Sequence, residues 1–294
     1  MINSIKKYFS FVKFSHTVFA MPFAIIGFTL GITSGNNSFS LKTLILIILC
    51  MVTARNAAMG FNRFADRKFD AQNPRTSTRE IPSGIISSRA ALTFVVVNAA
   101  IFVFATYFIN NLAFLLSPVA LLIVLGYSLT KRFTALCHLI LGLGLSLAPI
   151  GAYIAVTGQF AVVPVIYSFI ALTWTSGFDI IYALQDDEFD RSANLYSIPS
   201  VVGRKNALII SSGLHFVTFC LVVAAGIISQ SGFMYWIGAS IFSGLLLYQH
   251  IIVKTNDLSK VNLAFGTTNG IASILFAIFV IADIFKTQTP TIFL

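Results

Sequence analysis

The stretch "LKTLILIILCMVTARNAAMGFNRFADRKFD" occupies residues 41–70 and decides the fold. Residues 41–62 are mostly apolar, and roughly 20 such residues suffice for a helix to cross a bilayer. The run is too long for a β-strand, and its polarity does not alternate as in a membrane barrel. Because backbone groups in lipid must hydrogen-bond within the protein, the stretch predicts a transmembrane helix that leads into a charged segment.

The composition extends this prediction to the whole chain of 294 residues. Hydrophobic residues make up 57% of it and charged residues 10%, and the mean hydropathy is +0.88. Soluble domains are typically about a quarter charged, so we expect an integral membrane protein. The net charge of +9 is typical of cytoplasmic loops in such proteins, and no nucleic-acid partner is predicted.

The hydropathy pattern predicts an all-α membrane fold, with nine transmembrane helices in a single domain over residues 1–294. The predicted spans are 16–34, 41–62, 90–109, 112–130, 135–157, 162–184, 207–229, 233–253 and 263–285. With a cytoplasmic N-terminus, 17 of the 19 Lys and Arg residues lie on the cytoplasmic side, which the positive-inside rule favours. We therefore expect a multi-pass protein of the inner (plasma) membrane, in contact with the lipid bilayer and with its two long loops in the cytoplasm.

Eight of the ten acidic residues lie in two segments, one after span 2 and one at the end of span 6. In the first segment, Asn62, Asp66 and Asp70 recur at intervals of four, which places them on one face of a helix. Two carboxylates one turn apart repel each other unless a cation neutralises them. Mg²⁺ suits such oxygen ligands, because it takes one or two carboxylates and completes its shell with water and substrate phosphates.

The second segment repeats this interval. Tyr182, Asp186 and Asp190 are four residues apart, and Asp179 is predicted to join the same helix face. Asp179 lies within an apolar run, where an ionisable group indicates function. The alternative is that Asp179 is a structural partner of Arg55.

Basic residues accompany both acid segments. They are Arg75, Arg79, Lys131, Arg132 and Arg191. Carboxylates that hold metal ions, mixed with cations that bind oxygen anions, indicate a diphosphate site. Its position at the end of a hydrophobic helix bundle favours a polyprenyl diphosphate, whose tail needs an apolar slot.

These segments resemble the UbiA-type intramembrane aromatic prenyltransferases. "NRFADRKFD" matches the family's NxxxDxxxD signature, and "DIIYALQDDEFD" matches its second acid motif. "NPRTSTREIPSG" and "YSLTKRFT" resemble the arginine-bearing and Tyr-x-x-x-Lys-Arg stretches. The opening "FSHTVFAMPFA" is similar to the first span of the 4-hydroxybenzoate and menaquinone-pathway branch. The resemblance covers nearly the whole chain.

The resemblance implies nine helices around a central cavity, with a cytoplasmic cap formed by the 2–3 and 6–7 loops. It implies that Mg²⁺ is held by Asn62, Asp66, Asp70, Asp186 and Asp190. Arg75 or Arg79, together with Lys131, would hold the diphosphate oxygens. Where many relatives carry a Lys after the second acid motif, this chain reads "RSANLYSIPSVVG", so Arg191 or Lys205 would take that contact.

The function predicted is Mg²⁺-dependent transfer of a polyprenyl group from its diphosphate to an aromatic acid, 4-hydroxybenzoate or a related hydroxynaphthoate, in quinone biosynthesis. Asp179 and Tyr182 are predicted to be catalytic, with Asp179 near the acceptor, and Arg132 to pair with the acceptor carboxylate. Two alternatives remain, a tetrapyrrole acceptor and an ion-coupled transporter. The four histidines show no metal-ligand spacing and are predicted to pack. They are His16, His138, His215 and His250.

Overall fold

The computed structural model describes residues 7–8, 10–12 and 19–288, and these residues form helices and connections without a β-strand. In chain order the helices are α1 (Met21–Ile32), α2 (Leu41–Gln72), α3 (Ser88–Tyr107), α4 (Asn111–Thr130), α5 (Cys137–Thr157), α6 (Val162–Ala183), α7 (Asp187–Ser192), α8 (Ile198–Ile228), α9 (Phe233–Ile252) and α10 (Asn269–Gln288). A π-helical segment, Leu263–Thr268, leads directly into α10.

Seven segments of the described chain are long and apolar enough to cross a membrane: α2 to α6, α8, and the continuous segment Leu263–Thr287. Helix α1 is apolar but shorter, and α9 is not among the seven. Residues 16–18 of the first predicted span, with His16, lie outside the described residues. The all-α membrane fold is therefore confirmed, whereas the count of nine spans stays a prediction.

Two helices extend beyond the predicted spans into polar sequence. Helix α2 continues ten residues past position 62 and ends at Gln72; the next residue, Asn73, precedes Pro74, where the α conformation is disfavoured. Helix α8 begins at Ile198 rather than 207, because Ser197 caps it and Pro199 suits its first turn. Gly203 has a left-handed φ of 79° and kinks α8 between its polar start and its apolar span.

Helix α6 is the central helix, and α4 is the most exposed of the candidate spans. Trp174 on α6 is fully buried, and its ring packs against Phe23 and Phe242. On α4, by contrast, Leu115 and Leu122 are 70% and 73% exposed, as expected of side chains that face lipid. Functional groups on α6 therefore lie on the most buried of the candidate spans.

Candidate diphosphate and acceptor site

A cavity of about 670 Å³ runs between α2, α4, α5 and α6. We call one part of its lining the charged end: Asn62, Asp66, Asp70, Arg75, Arg79, Lys131, Asp179, Tyr182, Asp186 and Asp190. The rest of the lining is mostly apolar. It reaches Ile109 in the α3–α4 turn and Phe160 in the α5–α6 turn, at the helix ends far from the charged end. The cavity thus joins a polar pocket to a long hydrophobic slot.

Four carboxylates of the two acid segments each contact one basic side chain. Asp70 pairs with Arg79 at 2.7 Å, and Asp190 pairs with Lys131 at 2.6 Å. Asp186 pairs with Arg75, whose guanidinium binds both of its carboxylate oxygens. The fourth pair is looser. These pairs leave the four carboxylates and four bases balanced in charge.

The fourth pair joins Asp66 to Arg132 at 3.5 Å. Asp66 is held more closely by Asn62, whose side-chain amide donates to Oδ2 at 3.0 Å, one helical turn away. Arg132 donates to the carbonyl of Ala65 at 2.8 Å and does not line the cavity. The structure therefore brings Asn62 and Asp66 to the cavity and leaves Arg132 beside it.

The second acid segment differs from its prediction. Helix α6 ends at Ala183, the chain turns, and α7 begins at Asp187, so Tyr182, Asp186 and Asp190 do not share one continuous helix. The predicted single helix face is wrong, because the turn redirects Asp186 toward the connection between α2 and α3. Tyr182, Asp186 and Asp190 nevertheless all line the cavity.

Asp186 is fixed by groups from outside its own segment. The side chain of Asn73 donates to Oδ1 at 3.0 Å, and Arg75 also donates to the hydroxyl of Tyr182 at 3.1 Å. Burial by itself raises the pKa of Asp186, but the hydrogen bonds and charge of Arg75 outweigh it, so the pKa lies below its usual value. Asp186 is therefore a carboxylate at neutral pH.

Asp179 pairs with His138, not with Arg55. His138 Nδ1 lies 2.6 Å from Asp179 Oδ2, and both residues line the cavity. The backbone N–H of Ile198 points to His138 Nε2 at 3.3 Å, so Nε2 is the acceptor and the ring proton is on Nδ1, directed at Asp179. The prediction that His138 only packs was wrong; its position seven residues after Lys131, near the charged end, was the available signal.

The remaining acids of the second segment face away from the cavity lining. Asp187 is buried against Arg204, which donates to its two oxygens at 3.0 and 2.7 Å, and Glu188 also contacts Arg204. Arg191 lies 3.6 Å from Asp187, has a side chain 60% exposed, and is not in the cavity lining. The structure thus does not bring Arg191 to the other predicted diphosphate contacts.

The donor set fits Mg²⁺ bound together with a diphosphate. Within the described residues, no three His, Cys, Asp or Glu side chains lie close enough to form an all-protein metal site. The acids instead form two separate groups of oxygen donors, and Oδ2 of Asp70 is buried without a hydrogen-bond partner there. Such incomplete oxygen shells match a cation that completes its coordination on substrate phosphates.

Comparisons with known proteins identify the family and the fold. The profile of the UbiA prenyltransferase family matches residues 20–279. A 4-hydroxybenzoate octaprenyltransferase of Aliivibrio fischeri (strain MJ11) is 31% identical over 79% of this chain and 81% of its own. A 4-hydroxybenzoate octaprenyltransferase of Tolumonas auensis is 29% identical over 83% of this chain and 85% of its own.

Two solved structures have the same fold. The apo structure of a UbiA homolog from Aeropyrum pernix K1 aligns with a TM-score of 0.78 and 30% identity, over 92% of this chain and 98% of that one. A UbiA homolog from Archaeoglobus fulgidus bound to GPP and Mg²⁺ aligns with a TM-score of 0.71 and 25% identity, over 95% and 99%. The chain therefore belongs to the UbiA prenyltransferase family and is a membrane-embedded prenyltransferase.

Proposed function

We propose that this protein transfers a polyprenyl group from a polyprenyl diphosphate to an aromatic acid, 4-hydroxybenzoate or a related hydroxynaphthoate, in quinone biosynthesis. The observation that carries the proposal is the cavity itself, with paired carboxylates and bases at one end and an apolar slot behind them. A polyprenyl diphosphate has the same division between a charged head and a hydrophobic tail. The relatives named 4-hydroxybenzoate octaprenyltransferase support the acceptor class.

Donor binding would exchange the partners of the ion pairs. Arg75, Arg79 and Lys131 would release their carboxylates and hold diphosphate oxygens, for which Arg forks and the Lys ammonium are suited. Mg²⁺, held by Asn62, Asp66, Asp70, Asp186 and Asp190, would neutralise the diphosphate and make it a better leaving group. The carboxylates released by these bases, Asp186, Asp70 and Asp190, would then bind Mg²⁺, so no buried charge would stay unpaired.

Prenyl transfer would follow at the inner edge of the charged end. The allylic C–O bond breaks, its electron pair leaves with the diphosphate, and the arene attacks the resulting cation. The apolar lining excludes water, which would otherwise quench that cation. Asp179, oriented by His138, would take up the proton lost by the ring, and Tyr182 would orient the donor through its contact with Arg75.

The predicted pairing of Arg132 with the acceptor carboxylate stays a prediction. In the structure its guanidinium binds the Ala65 carbonyl and lies near Asp66. The predicted contact of Arg191 with the diphosphate would require its exposed side chain to leave Asp187. We therefore give the diphosphate contacts to Arg75, Arg79 and Lys131.

The distribution of basic residues supports a cytoplasmic N-terminus and a charged end that opens toward the cytoplasm, in the inner (plasma) membrane. The family profile covers residues 20–279, which supports one transmembrane domain over 1–294. Both substrates would then reach the cavity from the side on which soluble precursors are made.

The test is a transfer assay with the full chain in detergent, radiolabelled polyprenyl diphosphate and a panel of acceptors. We expect labelled product with 4-hydroxybenzoate or a hydroxynaphthoate, loss of activity with EDTA, and recovery with Mg²⁺. Full activity in a metal-free preparation would contradict the metal assignment, and labelling of haem alone would favour the tetrapyrrole alternative. In a deletion strain, the aromatic acid that accumulates would name the acceptor.

A further inference from the structure

Arg63 is a buried arginine that none of the roles above uses. It follows Asn62 on α2, is only 4% exposed, and lines the cavity. Its Nε and Nη1 are buried and have no hydrogen-bond partner among the described residues. None of the ion pairs in the same residues includes Arg63. Arg75, Arg79 and Lys131, by contrast, each have a carboxylate.

A guanidinium without partners is unfavourable at such a position. Moving a charge out of water is unfavourable in free energy, and only close counter-charges and hydrogen bonds offset this. In membrane helices, ionisable side chains accordingly pair or face a polar pathway. Since the described protein groups leave two donors of Arg63 unsatisfied, its natural partner is an anion that enters the cavity.

The surroundings of Arg63 indicate which anion this is. The charged groups that act on it are Arg79, Asp70 and Glu80. Glu80 accepts a hydrogen bond from Ser10 and does not line the cavity. Asp70 is seven residues further along α2, roughly 10 Å by helical rise, and pairs with Arg79 instead. The two carboxylates of α2 on this wall, Asp66 and Asp70, pair with Arg132 and Arg79, so Arg63 adds a positive charge that no carboxylate of the described residues balances.

We propose that Arg63 binds the diphosphate of the prenyl donor together with Arg79, as a fourth basic contact. This inference rests on the proposed function. The acceptor carboxylate fits less well, because Arg63 lies on α2 beside Asn62 and Asp66, whereas Asp179 and His138, which mark the acceptor side, lie on α6 and α5. With Asp70 bound to Mg²⁺, as the proposed function requires, Arg63 and Arg79 would both be free to hold the diphosphate.

The experiment measures thermal unfolding of the full chain in detergent, with and without inorganic pyrophosphate and Mg²⁺. Arg63→Met keeps an unbranched apolar side chain and removes the charge. The matched control is Arg89→Met, an exposed arginine at the start of α3. We expect pyrophosphate to stabilise the wild type and Arg89→Met equally, and its affinity for Arg63→Met to fall about tenfold or more. Arg63→Lys should recover part of that loss.

Unfolding without pyrophosphate gives a second readout. If Arg63 serves a ligand, Arg63→Met removes an unsatisfied buried charge and unfolds at the same or a higher temperature than the wild type. A lower temperature would assign Arg63 a structural role and overturn the inference. Equal pyrophosphate affinity in Arg63→Met and wild type would also overturn it, as would a loss confined to 4-hydroxybenzoate binding. If the wild type neither transfers prenyl groups nor binds pyrophosphate, the proposed function itself fails.

Discussion

The two acid segments have the same residue spacing but different backbone conformations. Asn62, Asp66 and Asp70 lie on the uninterrupted helix α2, so the interval of four aligns them by helical geometry. Tyr182, Asp186 and Asp190 have the same interval, but the turn after Ala183 leaves Tyr182 on α6, whereas Asp186 is the N-cap residue of α7 and Asp190 lies within it. Both segments reach the same cavity. Equal spacing therefore accompanies a common cavity here, but not a common backbone conformation.

The partners of the two segments differ as well. Asp66 is held within its own helix by Asn62, whereas Asp186 and Asp190 are held by side chains from other elements, Arg75 and Lys131. Asp70 of the first segment also pairs with a base from outside α2, Arg79, but α2 fixes the backbone of both of its acids. The second segment, lacking a continuous helix, depends on these cross-connections, so its geometry should respond more to changes in its bases.

The largest expected effect is common to both segments. Asp70→Asn and Asp186→Asn should each lower kcat by about 10²–10³-fold or more, because each removes a charge that would hold Mg²⁺ against the diphosphate. The measurement is prenyl transfer at saturating donor and Mg²⁺, with folding checked by thermal unfolding in detergent. A large loss in only one segment would show that the two are not equivalent halves of one site.

The next effect separates Asp179 from the metal-binding acids of its segment. His138→Leu should lower kcat about 10²-fold with little change in the KM of the donor, because the proton acceptor loses its orientation. His138→Gln, whose amide can both donate to Asp179 and accept from the Ile198 N–H, should recover part of the rate. Equal losses in both variants would mean that the ring only fills space.

A smaller effect tests the cross-connection to the second segment. Arg75→Lys keeps the charge but loses the fork that binds both oxygens of Asp186 and the donor to Tyr182. We expect the KM of the prenyl diphosphate to rise about tenfold, consistent with loss of a bidentate contact. The corresponding change on the first segment, Arg132→Lys, should have less effect, since Arg132 is 3.5 Å from Asp66. A larger effect of Arg132→Lys would reverse the comparison.

Much of the fold follows from hydropathy, because apolar runs such as residues 41–62 can only be helices in lipid. What hydropathy cannot show is where a helix ends in polar sequence. The extension of α2 to Gln72 depends on its packing and on Pro74, and the early start of α8 depends on the cap at Ser197. The break after Ala183 has no Gly or Pro to mark it, so spacing alone favoured a continuous helix.

The candidate site was predictable to the extent that it consists of acids at helical spacing accompanied by basic residues. Asp66, Asp70, Asp186 and Asp190 could be singled out in this way, and the structure places all four on one cavity. Partner choice could not be predicted, because it depends on how helices pack. His138 lies 41 residues before Asp179, and neither position signals the other.

The smallest expected effect concerns the acid that adjoins the site without facing it. Asp187 follows Asp186 directly, yet it is bound by Arg204 and does not line the cavity. Asp187→Asn should leave kcat and KM within about twofold and lower the free energy of unfolding by about 1 kcal/mol, since Arg204 is partly solvated and screening weakens the pair. Transfer kinetics and thermal unfolding, beside Asp186→Asn as the matched variant, measure both quantities. Both changes remove one negative charge, and the two positions are neighbours. The difference between their kcat values therefore measures the effect of directing the carboxylate into the cavity, which the turn between α6 and α7 does for Asp186 only. Asp187→Asn could instead lose as much activity as Asp186→Asn should. The second segment would then act through negative charge near the cavity, whether or not the carboxylate points into it.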